Sequence, residues 1–121
     1  MRIGELAGTA GVSVRALRYY EEQGLLTSER TGSGQRTYPP VAVDRVQLIQ
    51  QLYAAGLTSR TILELLPCVD KGVSTPESRA RLAAERERID QQITGLLATR
   101  DRLDAVIAVA DDPTHPSCTR I

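Results

Sequence analysis

The chain has 121 residues, fifteen basic and fifteen acidic, so its formal net charge is zero. Hydrophobic residues make up 41%, and the four aromatics are all tyrosine, which leaves a core to be built from Leu, Ile, Val and Ala. This composition excludes a disordered chain and a nonspecific cationic coat for nucleic acid, so any affinity for DNA must come from individually placed arginines.

The N-terminus lacks the apolar run of a secretory leader, and no stretch is long enough to span a bilayer. Two cysteines, Cys68 and Cys118, are too few for a disulfide framework. A cytoplasmic protein with no membrane partner is the expectation.

Ile3, Leu6, Ala7 and Ala10 recur at i, i+3, i+4 and i+7, the apolar stripe of a first helix. Gly11 allows a tight turn, and Ser13 is a good N-cap for a second helix running to Gly24. In that helix Val14 and Leu17 can face a core, while Arg15, Arg18 and Tyr19 share the opposite face. Helix, short glycine turn and helix form the helix-turn-helix pattern, whose second helix enters the major groove. Arginine forks match phosphates and guanine edges. An ordinary amphipathic helix with a solvated basic face is the competing reading.

The segment from Thr27 to Tyr38 carries Gly32 and Gly34 at its tip, which predicts a β-hairpin attached as a wing, as against a flexible loop. Arg30, Arg36 and Tyr38 would then reach phosphates beside the groove. Pro39-Pro40 is expected to start a third helix, with Val46, Ile49, Leu52 and Tyr53 on one face and its end near Gly56. Thr58 or Ser59 caps a fourth helix that carries Ile62, Leu63, Leu65 and Leu66 and is expected to stop at Pro67. Arg60 in its first turn is a further candidate phosphate contact. The stretch from Cys68 to Pro76 reads as a linker.

Thr75-Pro76-Glu77 is a helix start, and no proline follows until Pro113. A helix from there to Ala110 would be on the order of 50 Å long, more than a body of about 70 residues can cover. Leu82, Ile89, Leu96, Leu103 and Ala110 repeat every seven residues, with Ile93 and Ile107 beside them. A sustained heptad predicts a coiled coil, and a second copy of the chain is the simplest partner. Two helix-turn-helix units on a two-fold axis would read a palindromic site.

At this point the chain resembles the MerR family of bacterial transcriptional regulators. The resemblance rests on Ile3-Gly4-Glu5-Leu6-Ala7, on the run from Val14 through Leu17-Arg18-Tyr19-Tyr20-Glu21 to Gly24-Leu25-Leu26, on Gln35-Arg36-Thr37-Tyr38, and on the long last helix. It implies a mainly α fold: a winged helix-turn-helix at residues 1–70, a linker at 71–76, an antiparallel coiled-coil helix at 77–110 and an effector loop or tail at 111–121. It also implies binding of double-stranded promoter DNA at a dyad between overlong-spaced elements, with distortion of the DNA so that RNA polymerase can use both. Ser13, Arg15, Arg18, Tyr19, Tyr20, Arg36, Tyr38 and Arg60 are the positions expected at DNA.

Departures lie at the effector end. Metal-sensing members carry two cysteines after the long helix, where this chain has Asp111, Asp112, His115 and Cys118. The four cysteines of iron–sulfur members are absent. The signal therefore stays open between a mixed zinc-type site of aspartate, histidine and cysteine, a thiol sensor at Cys118 or Cys68, an organic effector, and a tail that senses nothing. An enzyme is not expected, since His115 has no nucleophile placed beside it and no phosphate loop or acid pair occurs. A dimeric coiled-coil interaction module without DNA binding is the alternative function.

Overall fold

The computed structural model describes residues 1–112. It is mainly helical, in the order α1 (Ile3–Ala10), α2 (Val14–Glu22), β1 (Glu29–Arg30), β2 (Arg36–Thr37), α3 (Ala42–Ala54), α4 (Ser59–Lys71) and α5 (Pro76–Asp111). The chain divides after Leu82 into two compact units.

Local chemistry sets the helix ends of the first unit. The Gly11 amide closes α1 on the Ala7 carbonyl with φ at +75°, a conformation that glycine takes without a Cβ penalty. Two residues later the Ser13 hydroxyl accepts the Ala16 amide at 3.0 Å and opens α2. The chain leaves α2 through Gln23 as C-cap, followed by Gly24 at +75°. Thr58, rather than Ser59, caps α4 by accepting the Thr61 amide at 3.2 Å.

One core joins these elements. Leu6, Ala7 and Ala10 of α1 and Leu17 and Tyr20 of α2 pack with Leu25, Leu26, Tyr38, Ala42, Val46, Ile49, Leu57, Ile62, Leu65 and Leu66. The segment between α2 and α3 is an antiparallel hairpin, with Glu29 opposite Thr37 and Arg30 opposite Arg36. Gly34, at φ +85°, turns its tip, and the Gly34 amide bonds the Thr31 carbonyl at 2.9 Å. Past the hairpin, Met1 and Tyr38 exchange two bonds: the terminal ammonium donates to the Tyr38 carbonyl and the Tyr38 amide to the Met1 carbonyl.

Two expectations about boundaries are corrected. Helix α3 starts at Ala42, two residues past the proline pair. Helix α4 does not stop at Pro67 but runs through it to Lys71, so the segment between helices shortens to residues 72–75. Proline lacks the amide for one intrahelical bond, typically a loss of about 3 kcal/mol. Here the further turn is held from both sides: Asp70 pairs with Arg45 of α3, and Gly72 ends the helix in the left-handed conformation. Pro67 itself is exposed. Pro67→Ala should therefore restore a bond without opening a cavity, raising stability on the order of 1 kcal/mol in urea denaturation; a loss of stability would show that the ring is needed where it sits.

Helix α5 opens as its sequence signals require. The Thr75 hydroxyl accepts the Ser78 amide at 3.0 Å, the Ser78 hydroxyl accepts the Thr75 amide at 2.8 Å, and Pro76 takes the first helical position. No residue of α5 is fully buried, and Leu82, Ile93, Leu96, Leu103 and Ile107 are all exposed, while Ile89 is half-buried. No described helix is long and apolar enough to cross a membrane.

Candidate nucleic-acid interface

Helix α2 presents the outward face that its spacing predicts. Arg15, Arg18 and Tyr19 are exposed, and Leu17 is fully buried. Among the described residues neither Arg15 nor Arg18 makes a hydrogen bond or ion pair. By contrast Arg36, Arg45, Arg60, Arg81, Arg86 and Arg88 all sit beside carboxylates. Two guanidinium groups left without partners on one short helix are free to take acceptors from outside the chain.

Glu21, near the end of α2, fixes the hairpin against that face. Its carboxylate accepts Arg36 Nη1 at 2.9 Å and also the Tyr38 hydroxyl. Arg2 at the start of the chain donates to Gln35 on the same hairpin. On the other side, the Tyr19 hydroxyl lies 3.4 Å from Ser59 Oγ at the start of α4, and Ser59 is bonded in turn to the Tyr53 hydroxyl. Arg60, the next residue, is 89% exposed at its side chain and 3.6 Å from Glu64. The exposed arginines of α2 therefore stand between a braced hairpin carrying Arg36 and a helix start carrying Arg60.

Two of the tyrosines expected at DNA are buried. Tyr20 is buried and stacks on Tyr53, with ring centroids 5.7 Å apart and planes 22° off parallel. Tyr38 is 2% exposed and spends its hydroxyl on Glu21. The reason for Tyr20 is visible in the spacing: it falls three residues after Leu17, on the core stripe, whereas Tyr19 falls four after Arg15. Ser13 is occupied as the cap of α2. Glu21 and Ser59 were missed as organising residues, because the partners of Glu21 lie 15 and 17 residues away and the α2 partner of Ser59 lies 40 residues away.

Burial, and next the hydrogen bond to Glu21, push the Tyr38 phenol up to about 12 from its ordinary 10. Burial also raises Tyr20, with Tyr53 adding to it. Because the folded chain holds the Tyr38 proton more tightly than the unfolded chain, this stabilisation is whole below pH 10 and is lost as pH rises towards 12. Tyr38→Phe should lower stability at pH 7 by roughly 1.5–3 kcal/mol, the range for a bond to a charged acceptor, and flatten the fall in Tm above pH 10. An alkaline limb identical to that of the parent would show that another group controls it.

The candidate sensing residues are not brought together. Asp111 ends α5 and Asp112 follows it, while His115 and Cys118 lie outside the described residues. Cys68 is a half-buried free thiol on α4. Among the described residues no three of histidine, cysteine, aspartate and glutamate gather to hold a metal.

Comparison with known proteins bears on this arrangement. Residues 1–67 match the model of the MerR HTH family regulatory protein, and residues 43–106 match a second model described as MerR, DNA binding. The chain belongs to the MerR family. The two models describe, respectively, a regulatory protein with a helix-turn-helix and DNA binding. The chain is 39% identical over 103 residues to the nodulation protein NolA of Bradyrhizobium sp. (strain NC92), a match that takes in 84% of this chain and 41% of that protein. The chain thus spans less than half the length of this relative. Among solved structures it superposes on a putative MerR family regulator from Listeria monocytogenes with a TM-score of 0.79 and 30% identity, covering 93% of this chain and 86% of the other. It also superposes on HiNmlR, a MerR family regulator lacking the sensor domain and bound to promoter DNA, with a TM-score of 0.73 and 26% identity over 89% and 83% of the two chains.

Proposed function

We propose that this MerR-family chain is a homodimeric, cytoplasmic regulator that binds a palindromic promoter operator and distorts it, controlling access of RNA polymerase in response to a signal. In this reading α2 enters the major groove, the 29–37 hairpin is the wing that meets the flanking backbone, and Arg60 reaches a further phosphate. Two copies joined through α5 supply the dyad.

The observation that carries the proposal is the pair of arginines on the outward face of α2 that have no partner among the described residues, in a chain whose net charge is zero. A neutral protein has little bulk attraction to DNA, so specificity must rest on a few placed groups, and doubling them by symmetry is the economical solution. The likeness to HiNmlR, whose structure holds promoter DNA, supports the same docking.

Selection from a pool of random-sequence duplexes with the full chain tests this directly. Enrichment of two inverted half-sites is expected. Enrichment of single, unpaired sites, or of none, would remove the dyad and with it the dimeric regulator, leaving the coiled-coil interaction module.

A further inference from the structure

The exposed face of α5 carries a charge pattern that the apolar heptad alone does not explain. A second row, four residues on from the leucines, runs through positions 86, 93, 100 and 107, and in it arginine alternates with isoleucine: Arg86, Ile93, Arg100, Ile107. An arginine in the middle of an apolar seam is a specificity device, because it must find a carboxylate across the interface or be left facing hydrocarbon. Beside the same seam, Asp90 and Asp104 follow the two arginines by four residues each.

Within one chain these charges are poorly satisfied. Arg86 is 3.9 Å from Asp90, Arg100 is 3.6 Å from its neighbour Asp101, and the side chains of both arginines are mostly exposed. Asp104 has no hydrogen bond or ion pair among the described residues.

Resting on the dimer proposed above and on the antiparallel pairing that the family resemblance implies, we infer that the register of the two α5 copies centres on residue 95 and is set by Arg86 against Asp104 of the partner subunit and Asp90 against Arg100 of the partner subunit. Positions 86 and 104, and positions 90 and 100, share that one midpoint, so a single two-fold axis satisfies all four charges on each helix. An axis within half a residue of that midpoint sets Ile93 beside Leu96 of the partner subunit and Leu82 beside Ile107 of the partner subunit, which closes the apolar seam. The aliphatic stems of Arg86 and Arg100 cover the intervening layers.

Other arrangements fare worse. A parallel pair in register sets Arg86 against Arg86 of the partner subunit, and Arg100 likewise, a repulsion repeated twice in the seam. Sliding the antiparallel pair by seven residues in either sense keeps one opposite-charge pair. It also drives an aspartate, Asp104 one way and Asp90 the other, against Ile93 of the partner subunit. The charges thus act as self-recognition residues, admitting a second copy of this chain and rejecting coiled coils with another pattern.

Positions 86 and 104 are about 27 Å apart along one helix, so any energetic coupling between them must run between chains. The test measures dimer dissociation of the full chain by sedimentation, with far-ultraviolet circular dichroism confirming that α5 remains helical. Arg86→Asp should weaken the dimer about tenfold, since each dimer holds two copies of the broken pair. The double reversal Arg86→Asp/Asp104→Arg should return to within about threefold of the parent, although it creates like-charged neighbours at i, i+4 in each helix. The double reversal Arg86→Asp/Asp90→Arg, which keeps the pair within one helix, should not. Rescue by the 90 reversal in place of the 104 reversal, or additive losses at 86 and 104 in a protein that still dimerises, would overturn the register and leave the dimer standing. A parent chain that is monomeric would overturn both.

Discussion

Arg18→Ala is expected to weaken binding to a selected operator duplex by about a hundredfold, while leaving the thermal unfolding of the protein unchanged. The magnitude follows from symmetry: one good arginine contact at a base edge or phosphate contributes roughly 1–3 kcal/mol, and a dyad uses it twice. The unchanged stability follows from the structure, since Arg18 is exposed and makes no hydrogen bond or ion pair among the described residues. Gel retardation and calorimetry on the same preparation separate the two effects. Intact binding would move recognition away from α2 and revive the reading of the chain as a protein-interaction module.

The second large effect belongs to Leu96, which is 69% exposed near the middle of α5. Leu96→Asp would set a carboxylate in the centre of the proposed seam, where each copy faces hydrocarbon without a partner, a loss of several kcal/mol per dimer. Sedimentation should show a monomer, and binding to the full dyad should fall with it, because each half-site alone offers half the contacts. The first unit should keep its fold, since its core draws on no residue beyond Leu66. A monomer that held the full dyad as tightly as the parent would sink the link between α5 and recognition.

What could be read before the structure, and what could not, divides by the range of the interaction that decides it. The stripe from Ile3 to Ala10, the Gly11 turn and the Ser13 cap are all settled within four residues of themselves, and α1 and α2 came out where those signals set them. The hairpin followed from Gly34, for the same reason. Pro67 failed as a stop because the turn beyond it is held by Arg45, 25 residues back from Asp70. Tyr20 lies on the core stripe by its spacing from Leu17, whereas the inward placement of Tyr38 was decided by Glu21, 17 residues back, on which no local pattern reports. At the site, the outward set Arg15, Arg18 and Tyr19 was legible from helical spacing. The brace that carries Arg36 to it, through Glu21, was not.

That brace has a thermodynamic consequence for how ionic strength would tune the protein. When an unpaired arginine meets a phosphate, the duplex gives up a condensed cation, and the entropy of that release makes binding steeply dependent on salt. Arg36 already holds the Glu21 carboxylate at 2.9 Å, so it arrives with its own counter-charge. Bringing it to the backbone releases a cation but also brings an anion to the surface, and the two largely cancel. Arg15 and Arg18 carry no such ballast among the described residues. The salt sensitivity of the complex would then count the arginines of α2 and discount the hairpin, making the grip on DNA less electrostatic than a tally of basic residues implies.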